Sequence, residues 1–299
     1  MNNILIIIII ILILSIWGHY IKQRESKTIE QFQTRLVKDN YTDIYDTFYS
    51  KIYDQLFKSD IKNEYEIYSL KQYIFDKYDK NDINILDLGC GTGNHLKLLT
   101  KYKYRCTGLD NSKNILNMAR KNNPSVELVL GDYHKKSIFK KREFSHILLL
   151  FFTIYYTNVP LKLFKYINYW LKPKGFVCIH LVSPDKFDPV LEKSSSLIPL
   201  YDPQKYSNKR NTKTELDFNN FKYVANWNFN KTDVKFIEHF IFKKESKSRK
   251  HIHKFTMYPI KYYIKLAKKT GFKLVKIIDL TPVNHKNNAI YVFQKLYGS

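Results

Sequence analysis

The chain has 299 residues, 44% of them hydrophobic, which is enough to bury one large domain or a core domain with a cap and excludes wholesale disorder. Its formal charge of +23 invites a nucleic-acid partner, yet only seven of the fifty basic residues are Arg, the residue preferred for bidentate recognition of phosphates and bases. The abundance of Lys, Asn, Ile and Tyr is what an A/T-rich coding sequence produces, and that bias explains the charge better than an anionic membrane surface or a nucleic acid does.

The first element is the run "ILIIIIIILIL" from Ile4 to Leu14, continued less purely to Ile21. As a helix, Ile4 to Ile21 would span roughly 27 Å, close to the thinner bilayers. Eleven aliphatics at about −0.3 to −0.6 kcal/mol each favour insertion. A secretory signal peptide expects a charged first region and a small-residue cleavage site, and "MNN" and "SIWGHY" supply neither. The expectation is an uncleaved transmembrane anchor over residues 1–21 and a basic juxtamembrane linker over 22–40. Lys22, Arg24 and Lys27 then place the rest of the chain, single-pass, on the cytosolic side. The sequons at Asn40 and Asn230 become chance matches.

"YTDIYDTFYSKIYDQL" follows as an amphipathic helix on which Tyr41, Tyr45 and Tyr49 would share a face. "INILDLG" (residues 83–89) alternates too little for a half-exposed strand and predicts one buried on both faces. "RCTGLD", "VELVLGD", "FSHILLLFF" and "GFVCIHLV" are four further strands. Helices from Ser112 and Pro160 lie between some of them, so the fold class is α/β: a doubly wound, mostly parallel sheet with ligands at the carboxyl ends of its strands. Cys90, Cys106 and Cys178 fit no metal or redox spacing, which suits a reducing compartment. His251 and His253 form an isolated pair without a Cys or carboxylate at ligand spacing nearby, so no metal is expected.

Between the first strand and its helix stands "DLGCGTGN". Three glycines at every second position let the chain turn sharply while a ligand presses on the backbone. A dinucleotide fingerprint would need its third glycine at position 94, which is Asn94. With Asp87 before the glycines and Asp110 ending the next strand, the segment resembles the glycine motif of class I S-adenosylmethionine-dependent methyltransferases. "LGDY" (residues 130–133), "LKPKGF" (171–176) and a late helix with two closing strands extend the resemblance over roughly Tyr41 to Leu296. It implies a Rossmann-like seven-stranded sheet and S-adenosyl-L-methionine as cofactor. Asp87, Gly89, Cys90, Gly91 and Gly93 would line that cofactor. Asp110, with Asn111 beside it, would hold both ribose hydroxyls, and Asp132 and Tyr133 would flank the adenine. The Tyr-rich opening helix is similar to that of small-molecule enzymes such as amino-sugar N-methyltransferases, in which Tyr41 and Tyr49 would close over the sulfonium by cation–π contact.

Methyl transfer needs no enzyme nucleophile, and a base only if the acceptor must lose a proton. His180, Tyr155 and Tyr156 are placed for that role at strand ends. The chain contains no Pro-Pro and no Pro-Cys pair, the marks of amino-directed nucleic-acid and cytosine-C5 enzymes. "FKYVANWNFN" alternates cleanly, and with "DVKFIEHFIFKK" and "KHIHKFTMY" it predicts an antiparallel cap. Its aromatic face either packs on the core or lines an acceptor pocket. The organisation expected is a core over 41–185, a cap and substrate insert over 186–258, with "EKSSSLIPLYDPQKYSNKRNTKTE" as a mobile loop, and a return to the core over 259–299. The function expected is methyl transfer to a small-molecule or lipid-like acceptor at a membrane. The alternatives are an RNA methyltransferase and a catalytically silent, membrane-tethered scaffold.

Overall fold

The computed structural model describes residues 10–17, 34–191 and 210–296. Asn84–Leu88 (β2) has four consecutive buried residues after its first, as a strand covered on both faces must. It pairs in parallel with Arg105–Asp110 (β3) on one side and Phe144–Leu149 (β5) on the other. With Glu127–Leu130 (β4), Leu171–Val182 (β6), Phe272–Asp279 (β11) and Asn288–Lys295 (β12) they form a seven-stranded sheet in the order β11-β12-β6-β5-β2-β3-β4, and only β12 runs against its neighbours. Strand order reverses at β2, so the carboxyl ends of β2, β3 and β5 form the switch-point crevice where α/β sheets bind ligands.

Successive strand residues enter two separate cores. Leu86, Leu88, Ile147 and Leu149 join the apolar side of Pro160–Trp170 (α7) and Ile260–Lys269 (α8). Ile85 and Leu148 join Asp60–Tyr73 (α4) and Asn94–Lys101 (α5) on the opposite face. Lys113–Asn122 (α6) is capped by Ser112, whose side chain accepts from Ile115 N.

The cap is a second sheet of five strands. Lys213–Asp217 (β7), Phe221–Asn230 (β8), Asp233–Phe242 (β9) and Lys247–Thr256 (β10) run antiparallel in sequence. Thr34–Lys38 (β1) adds in parallel to β10, so part of the expected linker is a cap strand. The inner face of the cap shares one apolar core with Thr47–Phe57 (α3) and the turn after β5.

Three expectations are corrected. Residues 10–17 are helical (α1). Among the described residues no helix is long and apolar enough to cross a membrane, so the transmembrane anchor and the membrane location with a cytosol-facing domain are unsupported; the remainder of segment 1–21 lies outside the described residues. The Tyr-rich helix is broken in two: Tyr41–Ile44 (α2) ends before Asp46, which caps α3 by accepting from Phe48 N and Tyr49 N. Most of the expected mobile loop, residues 192–209, lies outside the described residues.

Trp170 ends α7 fully buried; it meets Phe139 edge to face at 5.6 Å and its indole N–H donates to Lys136 O at 2.9 Å. Trp170→Ala is expected to cost about 3–5 kcal/mol, read as a lowered midpoint of urea unfolding.

Candidate active site

The glycine turn leaves β2 with its first two amides tied to β3: Gly89 N and Cys90 N both donate to Leu109 O, at 2.8 and 3.0 Å. Gly89, Gly91 and Gly93 all have positive φ, 68°, 56° and 80°. Their surroundings differ. A Cβ on Gly89 would stand 2.7 Å from Thr153, and one on Gly93 would stand 2.4 Å from the Asn123 amide. On Gly91 it would meet nothing within 4 Å. Packing therefore demands the outer glycines, while the middle one faces open space beside the end of β3.

Asp110 occupies that end. Its carboxylate is buried and accepts from Gly91 N at 3.1 Å and from Ser112 N at 2.9 Å, so the glycine turn and the start of α6 are held by one side chain. Asn111 between them is exposed. Ser112 Oγ donates to Tyr45 O at 2.8 Å and Asn114 Nδ2 to the same carbonyl at 3.3 Å, which pins the α2–α3 bend over this edge. From α3, Asp54 Oδ1 accepts from Thr92 Oγ1 and Asn94 Nδ2, at 2.5 and 3.0 Å.

Asp87 lies beneath the turn. Burial raises its carboxyl to about 6, the charges of Asp110 and Glu66 add to the rise, and His95 opposes it. Its Oδ2 is buried without a hydrogen-bond partner among the described residues. Glu66 is held by Lys62 at 2.9 Å and His95 at 2.9 Å; burial pushes it up, but these two partners bring it well below the usual carboxylate range. Cys90 is buried, and burial lifts its thiol far above its ordinary value. Further along the edge, Asp132 Oδ1 accepts from His134 N at 2.9 Å and lies 2.8 Å from His134 Nδ1, while Tyr133 donates to Thr153 O at 3.4 Å.

Over these groups sits a roof of hydroxyls. Tyr45 and Tyr156 face each other at 3.1 Å between their oxygens, and Tyr156 Oη lies 2.7 Å from His253 Nδ1. His253 Nε2 lies 2.7 Å from Glu238 Oε2. Tyr49 donates to the same carboxylate oxygen at 2.7 Å and Tyr223 to the other at 2.8 Å. Burial pushes Glu238 up, but the imidazoles of His251 and His253 outweigh it and hold the carboxyl low, at about 2. Burial raises the Tyr156 hydroxyl well above its ordinary value, so it stays protonated.

The structure thus gathers Asp87, Gly89, Cys90, Gly91, Gly93 and Asp110 at one edge, with Asp132, Tyr133 and Tyr156 beside them. It does not bring Tyr49, Tyr155 or His180 to the crevice. Tyr49 turns into the cap, where Glu238 takes its hydroxyl. Tyr41 belongs to the short α2, and its side chain lies outside what is described. Tyr155 accepts from Val182 N at 2.8 Å inside the sheet, which makes it a brace rather than a base. His180 is fully buried and bonded to Asn288 at 3.2 Å; burial lowers its pKa to about 3, so it takes up no proton near neutrality. The residues missed in the sequence are Glu238 and His253, whereas Tyr45 stands on the tyrosine face expected there.

Residues 85–175 match the family model described as a methyltransferase domain. Among solved structures, the chain is similar to an S-adenosylmethionine-dependent methyltransferase from Clostridium acetobutylicum, with 19% identity, a TM-score of 0.59, and coverage of 87% of this chain and 100% of that one. It is also similar to an amino pentose methyltransferase from Micromonospora echinaspora, solved with S-adenosylmethionine bound (16%, TM-score 0.58, 86% and 100%). A sugar N-methyltransferase from a Streptoalloteichus species aligns at 15% identity with a TM-score of 0.60 over 86% of this chain and 95% of that one. No curated protein matches. The match to a methyltransferase domain is thus carried by residues 85–175, and the likeness to these structures of enzymes that use S-adenosylmethionine is one of fold. The open side of Gly91 and the partnerless Asp87 oxygen fit that cofactor.

The glycines make separable predictions. Gly91→Ala is expected to fold with a loss of about 1–2 kcal/mol from its left-handed backbone, and to lose cofactor binding because the methyl group enters the open space. Gly93→Ala, with backbone strain and the Asn123 clash together, is expected to lose more stability. Thermal melts with and without S-adenosylhomocysteine check both.

Proposed function

We propose that the enzyme methylates a small polar acceptor of the sugar type, bound where α3, the turn after β5 and the cap sheet meet. The observation that carries this reading is the file of hydroxyls Tyr45–Tyr156 above the Gly91–Asp110 edge, closed on its far side by the buried Glu238. Such a roof suits a compact molecule that can exchange hydrogen bonds with hydroxyls. Two of the similar structures are methyltransferases of an amino pentose and of a sugar nitrogen, which supports the same class.

In this reading Asp110 holds the ribose hydroxyls, Gly91 lies along the cofactor, and Asp87 faces its cationic amino group. The cofactor supplies a methyl group activated by its sulfonium. The protein supplies orientation and dryness: Tyr156 and Tyr45 fix the acceptor through hydroxyl bonds, and the aromatic wall of Phe152, Trp227 and Phe255 excludes water. Trp227 is 7% exposed, so the aromatic face is mainly a packing surface; its indole N–H, buried without a partner among the described residues, is the one polar group there for an acceptor to meet.

The direct test incubates the chain with methyl-labelled cofactor and separate pools of small metabolites and RNA. Label should enter the small-molecule pool, with a rate almost unchanged between 50 and 200 mM salt. Label in RNA, with the 10³–10⁵ loss of affinity expected over that range for about 6–10 phosphate contacts, would replace this reading with the nucleic-acid one.

Two further outcomes follow from the carboxylates. Asp110→Ala should weaken cofactor binding at least about tenfold by calorimetry, since a hydrogen bond to a charged group contributes roughly 1.5–3 kcal/mol. Asp87 is neutral below its raised pKa of about 6 and ionised above it, so affinity for the cationic cofactor should rise as pH increases through 6 and then level. Asp87→Asn should abolish that rise; an unchanged pH profile would detach Asp87 from the cofactor.

A further inference from the structure

We propose that Glu238, His251 and His253, completed by Tyr49, form a binding site for one divalent transition-metal ion of borderline softness such as Zn2+. The site does not depend on the cofactor assignment. It is made by the β9–β10 pairing, which sets His251 directly opposite Glu238 and His253 two residues further along the same face. All three side chains are almost completely buried, and one ligand atom from each lies within 4.8 Å of the other two.

His251 is the observation that requires an explanation. Its ring is wholly buried, yet neither nitrogen has a hydrogen-bond partner among the described residues, and Nδ1 stands 3.6 Å from Glu238 Oε2. A neutral imidazole has one N–H and one lone pair, and leaving both unmatched in an apolar interior is unfavourable. Glu238 is already hydrogen-bonded by Tyr49, Tyr223 and His253, so His251 acts on it only across the longer gap of 3.6 Å. A cation between Oε2 and Nδ1 gives the lone pair a partner at a separation only slightly wider than two ligands of one tetrahedral zinc.

The remaining groups supply further donors at hydrogen-bond spacing, which would open by about 0.6 Å to ligate one tetrahedral ion. Tyr49 Oη lies 2.7 Å from Glu238 Oε2 and 3.3 Å from His253 Nε2, a fourth donor contributed by α3. Tyr223 orients the carboxylate through its other oxygen, and Tyr156 holds His253 through Nδ1, which leaves Nε2 for the ion. Without the ion, a proton on His253 Nε2 bridges to the carboxylate; when the ion binds, that proton is carried on Nδ1, against Tyr156, and the Tyr49 proton goes to solvent, one proton released per ion. With Glu238 and Tyr49 ionised and both imidazoles neutral, a divalent ion makes the buried cluster electrically neutral. Two imidazoles favour zinc, cobalt or ferrous iron over magnesium or calcium. The ion would clasp the cap sheet to α3.

Because the cluster is buried, the ion is introduced during folding: the full chain is expressed in minimal medium supplemented with Co2+, and its metal content and visible spectrum are measured after gel filtration. One cobalt per chain with the absorption bands of a tetrahedral ion is expected. His251→Gln and Glu238→Gln, checked for cooperative melting, should retain less than about a hundredth of the wild-type affinity, since even outer-sphere partners of metal ligands change it 10–100-fold. Tyr49→Phe should keep the ion but shift the bands. Wild-type protein with only trace cobalt, or a folded His251→Gln protein with the wild-type spectrum, would overturn the proposal.

Discussion

The fold depends on one buried carboxylate. Among the described residues Glu238 is the lone acidic group on the inner face of the cap, and an uncompensated charge there would cost several kcal/mol. Its partners come from separate parts of the chain: Tyr49 from α3, Tyr223 from β8 and His253 from β10. Satisfying it therefore fixes where the cap sits on the core. Through His253 the same requirement sets Tyr156, and through Tyr156 it sets Tyr45, whose carbonyl receives Ser112 and Asn114 from the edge of the sheet. A polar network this deep, each bond made in a low-dielectric interior, aligns the roof with the edge below it.

The two halves divide the work. The sheet edge, with its glycine turn and the Asp110 carboxylate, lies within the stretch that matches the methyltransferase-domain model. The cap, closed by β1 reaching back across the chain to β10, lies outside that stretch. Side chains that looked catalytic from their strand-end positions, His180 and Tyr155, belong to neither half; they join the sheet's own strands to one another.

What was legible in the sequence follows the range of the forces involved. The β2 strand, the glycine turn and Asp110 are local features, because burial on both faces and positive φ leave marks within a few residues. The three hairpin strands of the cap were equally clear from alternation. The cap of α3 was present but overlooked: Asp46 ahead of a helical run is a start signal, and it breaks the face on which Tyr41 and Tyr49 were expected to align. Glu238 with His251 and His253 was invisible because the histidines were judged along the chain, whereas their carboxylate lies across a hairpin. Pairing the two strands by register would have found it. β1 is illegible by the same logic, since its partner is some two hundred residues away. The apolar run at the start of the chain reads by hydropathy as a membrane span, whereas among the described residues no helix is long and apolar enough to cross a membrane.

The most direct measurement is a crystal structure of the chain with S-adenosylhomocysteine. The account predicts ribose hydroxyls on the Asp110 carboxylate, the amino-acid portion passing Gly91 toward Asp87, and the sulfur turned to the Tyr45–Tyr156 roof. A ligand seated away from Gly91, or one whose sulfur faces away from the cap, would contradict it.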